Sequence, residues 1–203
     1  NYCKKFKSKL IHISSTSVYG KQVKIVDEDN DHFLKPQSPY AEIKLLEEKM
    51  LKKNSSKLKY MSFRFGTIAG VSKGMRFHTA VNKFCLNAAL NQNIQIYKTA
   101  YDQYRPYLSL KDGFKIFKFC VEKDIFKNDT YNALSGNFTV RQIINLIKKY
   151  KKNVRTKFVK SKIMNQLSYF VDDSKIKKLG LNLKSDIKLD IKETLKIFNH
   201  LKK

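Results

Sequence analysis

Short apolar runs alternate with longer, capped amphipathic stretches along this chain, and that alternation constrains its fold more than any other feature. Strands separated by helices favour a parallel sheet covered by helices, the α/β class. Residues 9–14 read as a buried strand, 20–37 as a polar loop, 39–53 as a helix and 58–65 as a second strand. In the first helix Ile43, Leu46, Met50 and Leu51 form an apolar stripe, and Lys52-Lys53-Asn54 supplies C-terminal signals. A helix over 79–90 places Val81, Phe84, Cys85, Ala88 and Ala89 on one face. Strands are expected at 94–97, 131–133 and 157–159, with helices at 109–122, 140–150 and 193–201. No internal repeat or low-complexity linker interrupts the pattern.

The chemistry-bearing segment is His12-Ile13-Ser14-Ser15-Thr16-Ser17-Val18-Tyr19-Gly20, followed after the loop by Ser38-Pro39-Tyr40-Ala41-Glu42-Ile43-Lys44. Tyr40 and Lys44 are four residues apart and share one face of a helix. A nearby ammonium favours the phenolate, so this spacing predicts a tyrosine easier to ionise than usual. Ser15, at the end of an apolar run, is placed to hydrogen-bond the same phenol. Spacing alone carries little, because Tyr107-Leu108-Ser109-Leu110-Lys111 repeats it. Context separates the two: Ser38 is a good N-cap and Pro39 suits the first helical position, whereas Tyr107 has no such cap.

Ser14-Ser15-Thr16-Ser17-Val18-Tyr19-Gly20 with Ser38-Pro39-Tyr40-x-x-x-Lys44 resembles the extended short-chain dehydrogenase/reductases, in their nucleotide-sugar epimerase/dehydratase branch. The resemblance continues through Ser62-Phe63-Arg64-Phe65-Gly66 and Arg105-Pro106-Tyr107-Leu108-Ser109-Leu110-Lys111-Asp112. It ends at Val171-Asp172-Asp173-Ser174-Lys175-Ile176-Lys177-Lys178-Leu179-Gly180. It implies an α/β fold: the C-terminal part of a Rossmann-like doubly wound parallel sheet plus a smaller α/β substrate-binding lobe. Residues 1–67 and 107–133 would belong to the sheet domain, and 68–106 and 134–203 to the lobe. It also implies Ser15, Tyr40 and Lys44 as catalytic residues, with Tyr40 and Lys44 meeting a nicotinamide cofactor, NAD or NADP, of which NAD is favoured. Arg105 would contact the phosphates of a nucleotide sugar, and Arg76 and Asn82 are further substrate candidates.

Two departures from the family pattern matter. Thr67 stands where many relatives have a substrate-contacting asparagine, so the contact would be made differently. Ser15-Thr16-Ser17 replaces the Thr-Asp-Glu of sugar-nucleotide 4,6-dehydratases, removing the acid and base needed to eliminate water. Epimerisation, or net oxidation or reduction at one carbon, is therefore expected over dehydration, with Thr16 kept as a substrate-facing hydroxyl.

The family opens with a strand and a Gly-x-x-Gly-x-x-Gly turn whose helix N-terminus cradles the dinucleotide pyrophosphate. No such motif occurs among the seven glycines of the 203 residues. The chain is accordingly expected to be a C-terminal portion, with about a hundred residues of such an enzyme upstream. It would act with a separately encoded N-terminal half, as a homodimer, or as a non-catalytic remnant that binds a nucleotide sugar or a partner chain.

A formal charge of +25 raises nucleic-acid binding. The excess is almost all lysine, spread along the chain without a recognised binding motif, so no nucleic-acid partner is expected. Cys3, Cys85 and Cys120, and His12, His32, His78 and His200, lack metal-ligand spacing, and no metal is expected. No apolar run approaches the roughly 20 residues needed to cross a bilayer. The expected setting is cytoplasmic, without a membrane partner.

Overall fold

Caps and side-chain period place most elements close to where the sequence puts them. The structure, a computed structural model, describes residues 2–22, 25–160 and 169–198. A short helix α1 (Tyr2–Lys5) leads into strand β1 (Leu10–Ser15), a 3-10 turn over Thr16–Tyr19, and strand β2 (Ile25–Val26). Helix α2 (Pro39–Lys53) starts as its cap demands: Ser38 Oγ accepts from the Ala41 N–H, and Pro39 occupies the first turn, where its missing N–H costs nothing. Strands β3 (Tyr60–Phe65) and β4 (Thr67–Ala69) follow, then helix α3 (Ala80–Ala89), β5 (Ile94–Tyr97) and β6 (Tyr104–Ser109). The chain continues through α4 (Leu110–Glu122), β7 (Asp129–Ala133), β8 (Gly136–Thr139), α5 (Val140–Tyr150) and β9 (Thr156–Val159). Strand β10 (Phe170–Val171) and helices α6 (Ser174–Lys178) and α7 (Ile187–Phe198) complete the described chain. A reciprocal capping box between Thr139 and Gln142 starts α5.

Strands β1, β3 and β7 form a parallel sheet in that order. Side chains alternate across it. Ile11, Met61, Phe63 and Phe65 join Ile116 and Cys120 of α4 in one core, together with Ile176, Leu181 and Leu183. On the opposite face, His12, Ser14 and Arg64 meet Glu47 and Glu48 of α2, and Ser62 bonds to His12. A second sheet, β4-β6-β8, belongs with α3, α5 and α7 around a core that includes Ala69, Val81, Tyr107, Ile144 and Ile191. Two small parallel pairs, β10–β2 and β5–β9, are separate from these sheets.

Two expectations are corrected. The first strand is not buried: it lies at the edge of its sheet among the described residues, and Ile13 is 43% exposed. An apolar run cannot distinguish a central strand from an edge strand, because that depends on what lies beside it. The expected stripe of α2 also faces the other way, except for Leu51, which is buried as expected. Ala41, Leu45, Glu48 and Leu51 are buried, while Ile43, Leu46 and Met50 are exposed. The expected polar loop at 20–37 also contains β2, with Val26 and Glu28 buried. Strands β4, β6, β8 and β10 are further additions; each is short or interrupted by Gly or Pro. The C-terminal helix begins earlier than expected, at Ile187, and residues 199–201 of that expectation lie outside the described residues.

The turn after Tyr19 requires glycine. Gly20 has φ +62°, and a Cβ there would stand 2.0 Å from the Lys35 carbonyl oxygen. This close approach folds the loop back over the end of β1.

Glu28 supplies a pH-dependent stability term. One of its carboxylate oxygens accepts from the Asn132 N–H at 2.5 Å, while the other has no partner among the described residues. Burial pushes its pKa up to about 7. The folded state therefore keeps this proton up to about pH 7, whereas the unfolded chain releases it near its ordinary 4.5. Across that window the folded state binds more protons, so stability falls as pH rises, by on the order of 2–3 kcal/mol in total. Urea midpoints between pH 5 and 8 should show the decline, and Glu28→Gln should flatten it. An equal slope in both proteins would contradict this origin.

Candidate active site

The carboxyl ends of β1 and β3 open onto a cleft of about 690 Å³. In parallel α/β sheets this is the end at which ligands bind, because the connections leave a crevice there. Ser15 ends β1, and Thr16 and Ser17 begin the following 3-10 turn. Tyr40 enters from the first turn of α2, Thr67 from β4, Asn82 from α3 and Arg105 from β6, while Arg76 comes from the loop before α3. All these residues line the same cleft, although they span much of the chain. Lys44 does not line it. Its ammonium lies 5.9 Å from the centre of the Tyr40 ring and is bound to Glu47 at 2.8 Å.

Local geometry defines what each hydroxyl can do. Ser15 Oγ caps the 3-10 turn by accepting from the Ser17 N–H at 3.2 Å. A serine hydroxyl has one proton and two acceptor positions, so the Ser15 proton can still be donated into the cleft. Tyr40 is 57% exposed, with its ring in the opening. Two buried wall atoms, Ser17 Oγ and Asn82 Oδ1, have no hydrogen-bond partner among the described residues. Asn82 is nearly fully buried, and its amide nitrogen donates to the Arg76 carbonyl at 3.2 Å. Unmatched polar atoms in a wall favour a polar occupant over an apolar one.

A buried polar network supports the end of β1. Arg64 donates to Glu48 through Nε (3.0 Å) and Nη2 (2.6 Å), and through Nη1 to the Tyr19 hydroxyl at 2.9 Å. Tyr19 donates to Asn132, and Ser14, the neighbour of Ser15, donates to Glu48 at 2.5 Å. Burial works against the Arg64 charge, but its hydrogen bonds to Glu48 and the adjacent Tyr19 outweigh that penalty, so the guanidinium stays protonated. Burial likewise pushes the Tyr19 hydroxyl above its ordinary value, keeping it neutral.

The second tyrosine–lysine pair is not a site. Tyr107 lies within β6 and is fully buried, whereas Lys111 belongs to α4, so the two share no helix face. Burial pushes the Tyr107 hydroxyl up to about 12. Sequence reasoning missed Tyr169, which lines the cleft and approaches Thr16 Oγ1 at 3.4 Å. Burial raises its pKa as well. Its only sequence signal is that it lies two residues before the Val171–Gly180 segment. Among the described residues no cluster of three His, Cys, Asp or Glu side chains could hold a metal ion, and no helix is long and apolar enough to cross a membrane.

A parallel sheet flanked by helices, with a polar cleft at the carboxyl ends of its strands, is the architecture of nucleotide-binding α/β proteins. The chain belongs to the NAD dependent epimerase/dehydratase family, which matches its residues 1–133. An uncharacterized protein of Methanocaldococcus jannaschii is 31% identical over 194 residues, covering 94% of this chain and 57% of the relative. The UDP-glucuronic acid 4-epimerase of Bacillus cereus superposes with a TM-score of 0.84 at 23% identity, covering 98% of this chain and 64% of that one. The UDP-N-acetylglucosamine 4-epimerase of Methanobrevibacter ruminantium M1 superposes with a TM-score of 0.82 at 23% identity, covering 98% and 66%. The chain thus spans 57% to 66% of the length of these relatives.

Proposed function

We propose that this chain carries the substrate and proton-transfer side of a nicotinamide-dependent enzyme that epimerises, oxidises or reduces one carbon of a nucleotide sugar. The observation that carries the reading is the convergence of Ser15, Tyr40, Asn82 and Arg105 on one polar cleft. The B. cereus relative holds UDP-glucuronic acid and NAD, and a structural neighbour from Pseudomonas aeruginosa holds NADPH. NAD is the favoured cofactor here. Tyr40 and Lys44 would hold its nicotinamide end: one presents a phenol at the cleft and the other an ammonium behind it. When bound, the nicotinamide supplies the acceptor for the carbinol hydrogen and its electron pair.

The remaining work falls to the chain. Tyr40, as phenolate, takes the proton of the reacting sugar hydroxyl on its Oη and gives it back when the carbonyl is reduced. Ser15 donates toward the same hydroxyl and fixes its direction. Arg105 meets the phosphates, for which a guanidinium fork is suited. Arg76, Asn82, Thr16 and Thr67 line the sugar-nucleotide path. The hydroxyls of Thr16 and Ser17 provide no acid–base pair for eliminating water, which favours epimerase or dehydrogenase chemistry over a 4,6-dehydratase. Residues 1–67 and 107–133 make the sheet side of this arrangement, and 68–106 and 134–203 the lobe, with Ile176, Leu181 and Leu183 packed back on the sheet core.

The edge of β1 and the outward apolar residues Ile43, Leu46 and Met50 of α2 suit a further α/β segment or a second copy in a cytoplasmic assembly. In a second reading, the chain is a non-catalytic binder of nucleotide sugars. The full-length protein incubated with NAD and a panel of nucleotide sugars, read by NMR, decides between them. Formation of an epimer or ketone supports the enzyme; binding of a sugar nucleotide with no conversion across the panel supports the binder. In either case Arg105→Ala should weaken nucleotide-sugar affinity about ten- to a hundredfold by calorimetry, the scale of a lost charged hydrogen bond. An unchanged affinity would remove Arg105 from the phosphate role.

A further inference from the structure

Lys44 is not alone on its side of Tyr40. Its ammonium is held at 2.8 Å by Glu47, one turn further along α2. The same carboxylate oxygen, Oε2, meets His12 Nε2 at 2.9 Å, and His12 Nδ1 meets Ser62 Oγ at 2.9 Å. A chain of hydrogen bonds therefore runs from β3 through β1 to α2 and ends on the lysine. His12 and Glu47 are both partly buried, and neither belongs to the cleft wall. Lys44 first and His12 second hold the Glu47 carboxyl below its ordinary value, so it is an anion at neutral pH.

We propose that Glu47, seated on the sheet by His12, is a positioning residue that holds the Lys44 ammonium beside Tyr40 and sets the charge presented to the proton-transfer site. The inference rests on the proposed roles of Tyr40 and Lys44, but its test does not require turnover. A lysine ammonium has three donors and no acceptor. Glu47 takes one of them and fixes the direction of the stem, leaving the others for a phenol and for ligand hydroxyls. Without this anchor, a four-carbon side chain at the surface of a helix would sample many rotamers. The anchor is itself fixed: His12 comes from β1, whose backbone also presents Ser15 at the cleft, so sheet and helix are registered at this point.

The test is the rate at which an amine-acylating reagent modifies Lys44, resolved from the other lysines by peptide mass spectrometry of the full-length protein without cofactor. The ion pair with Glu47 occupies one N–H of Lys44, restricts the motion of the stem and keeps the nitrogen from the reagent. Glu47→Gln should therefore speed modification of Lys44 by about three- to tenfold, while Lys49 and Lys52 on the same helix keep their rates. His12→Phe, which leaves Glu47 in place but unseated, should give a smaller acceleration at Lys44 alone. Glu47→Asp, which keeps the charge on a shorter stem, should restore part of the protection. Unchanged labelling of Lys44 in Glu47→Gln overturns the proposal, as does a uniform rise along α2, which would mean that the helix had loosened. Loss of the catalytic reading would appear elsewhere, as turnover that survives Tyr40→Phe, and would leave these labelling rates as they are.

Discussion

In the full-length protein, Tyr40→Phe is expected to lower turnover of the nucleotide sugar by about a hundred- to ten-thousandfold. Nucleotide-sugar affinity should stay within a few-fold of the parent. The phenol lies in the cleft opening and is more than half exposed, so removing one oxygen leaves no cavity and no buried partner unsatisfied. Folding should therefore be unaffected, and any loss must arise at the chemical step. Single-turnover kinetics with isotopically labelled sugar separate binding from chemistry. A phenylalanine variant that turns over at the parental rate would sink the assignment of Tyr40. Ser15→Ala should give a smaller loss, because the hydroxyl orients a proton that Tyr40 takes.

The largest stability effect should come from Arg64. Its guanidinium and the Glu48 carboxylate are both nearly out of solvent and share three hydrogen bonds, while Ser14 and Tyr19 occupy further positions of the pair. Arg64→Met removes the cation and leaves the Glu48 charge stranded between α2 and the sheet. Breaking a buried pair in this way costs about 3–5 kcal/mol. Urea denaturation should show a midpoint shift of that size, and the combined change Arg64→Met with Glu48→Leu should recover much of it, since the unpaired charge is then gone. A cost below about 1 kcal/mol for Arg64→Met would show that Glu48 finds another partner or takes up a proton. Because Ser14 hangs from the same carboxylate, the single variant should also disturb Ser15 and lower turnover beyond the loss of folded protein.

These two residues show what could be read from the chain and what could not. Tyr40 was legible because its signals are local: the Ser38 cap, Pro39 in the first turn and a lysine one turn on all lie within seven residues. The boundaries of α2 and α5 follow from the same short-range chemistry, as does the distinction between Tyr40 and Tyr107. Arg64 was visible as part of a motif, but its partner was not, since Glu48 is an ordinary helical glutamate until the sheet brings a guanidinium to it. Tyr169 is more extreme. It approaches Thr16 across 153 residues of chain, and nothing near it in sequence points to the cleft.

Helix α2 gives the physical reason. Its sequence supports two faces at helical spacing: Ile43, Leu46 and Met50 on one, and Ala41, Leu45, Glu48 and Leu51 on the other. Apolarity selects the first as the buried face, yet the second is buried. The sheet beneath offers His12, Ser14, Ser62 and Arg64, so carboxylates packed against it are paired, and the more apolar face is left outward. The sequence by itself determined the α/β class, the starts of α2 to α5, the family motifs and the residue types able to move a proton. Only the tertiary structure decided which helix face is inward, that β1 is an edge strand, and that Lys44 is held by Glu47 and His12. Caps and periodicity act within a few residues, whereas burial and charge pairing depend on groups that meet only when distant segments of the chain pack together.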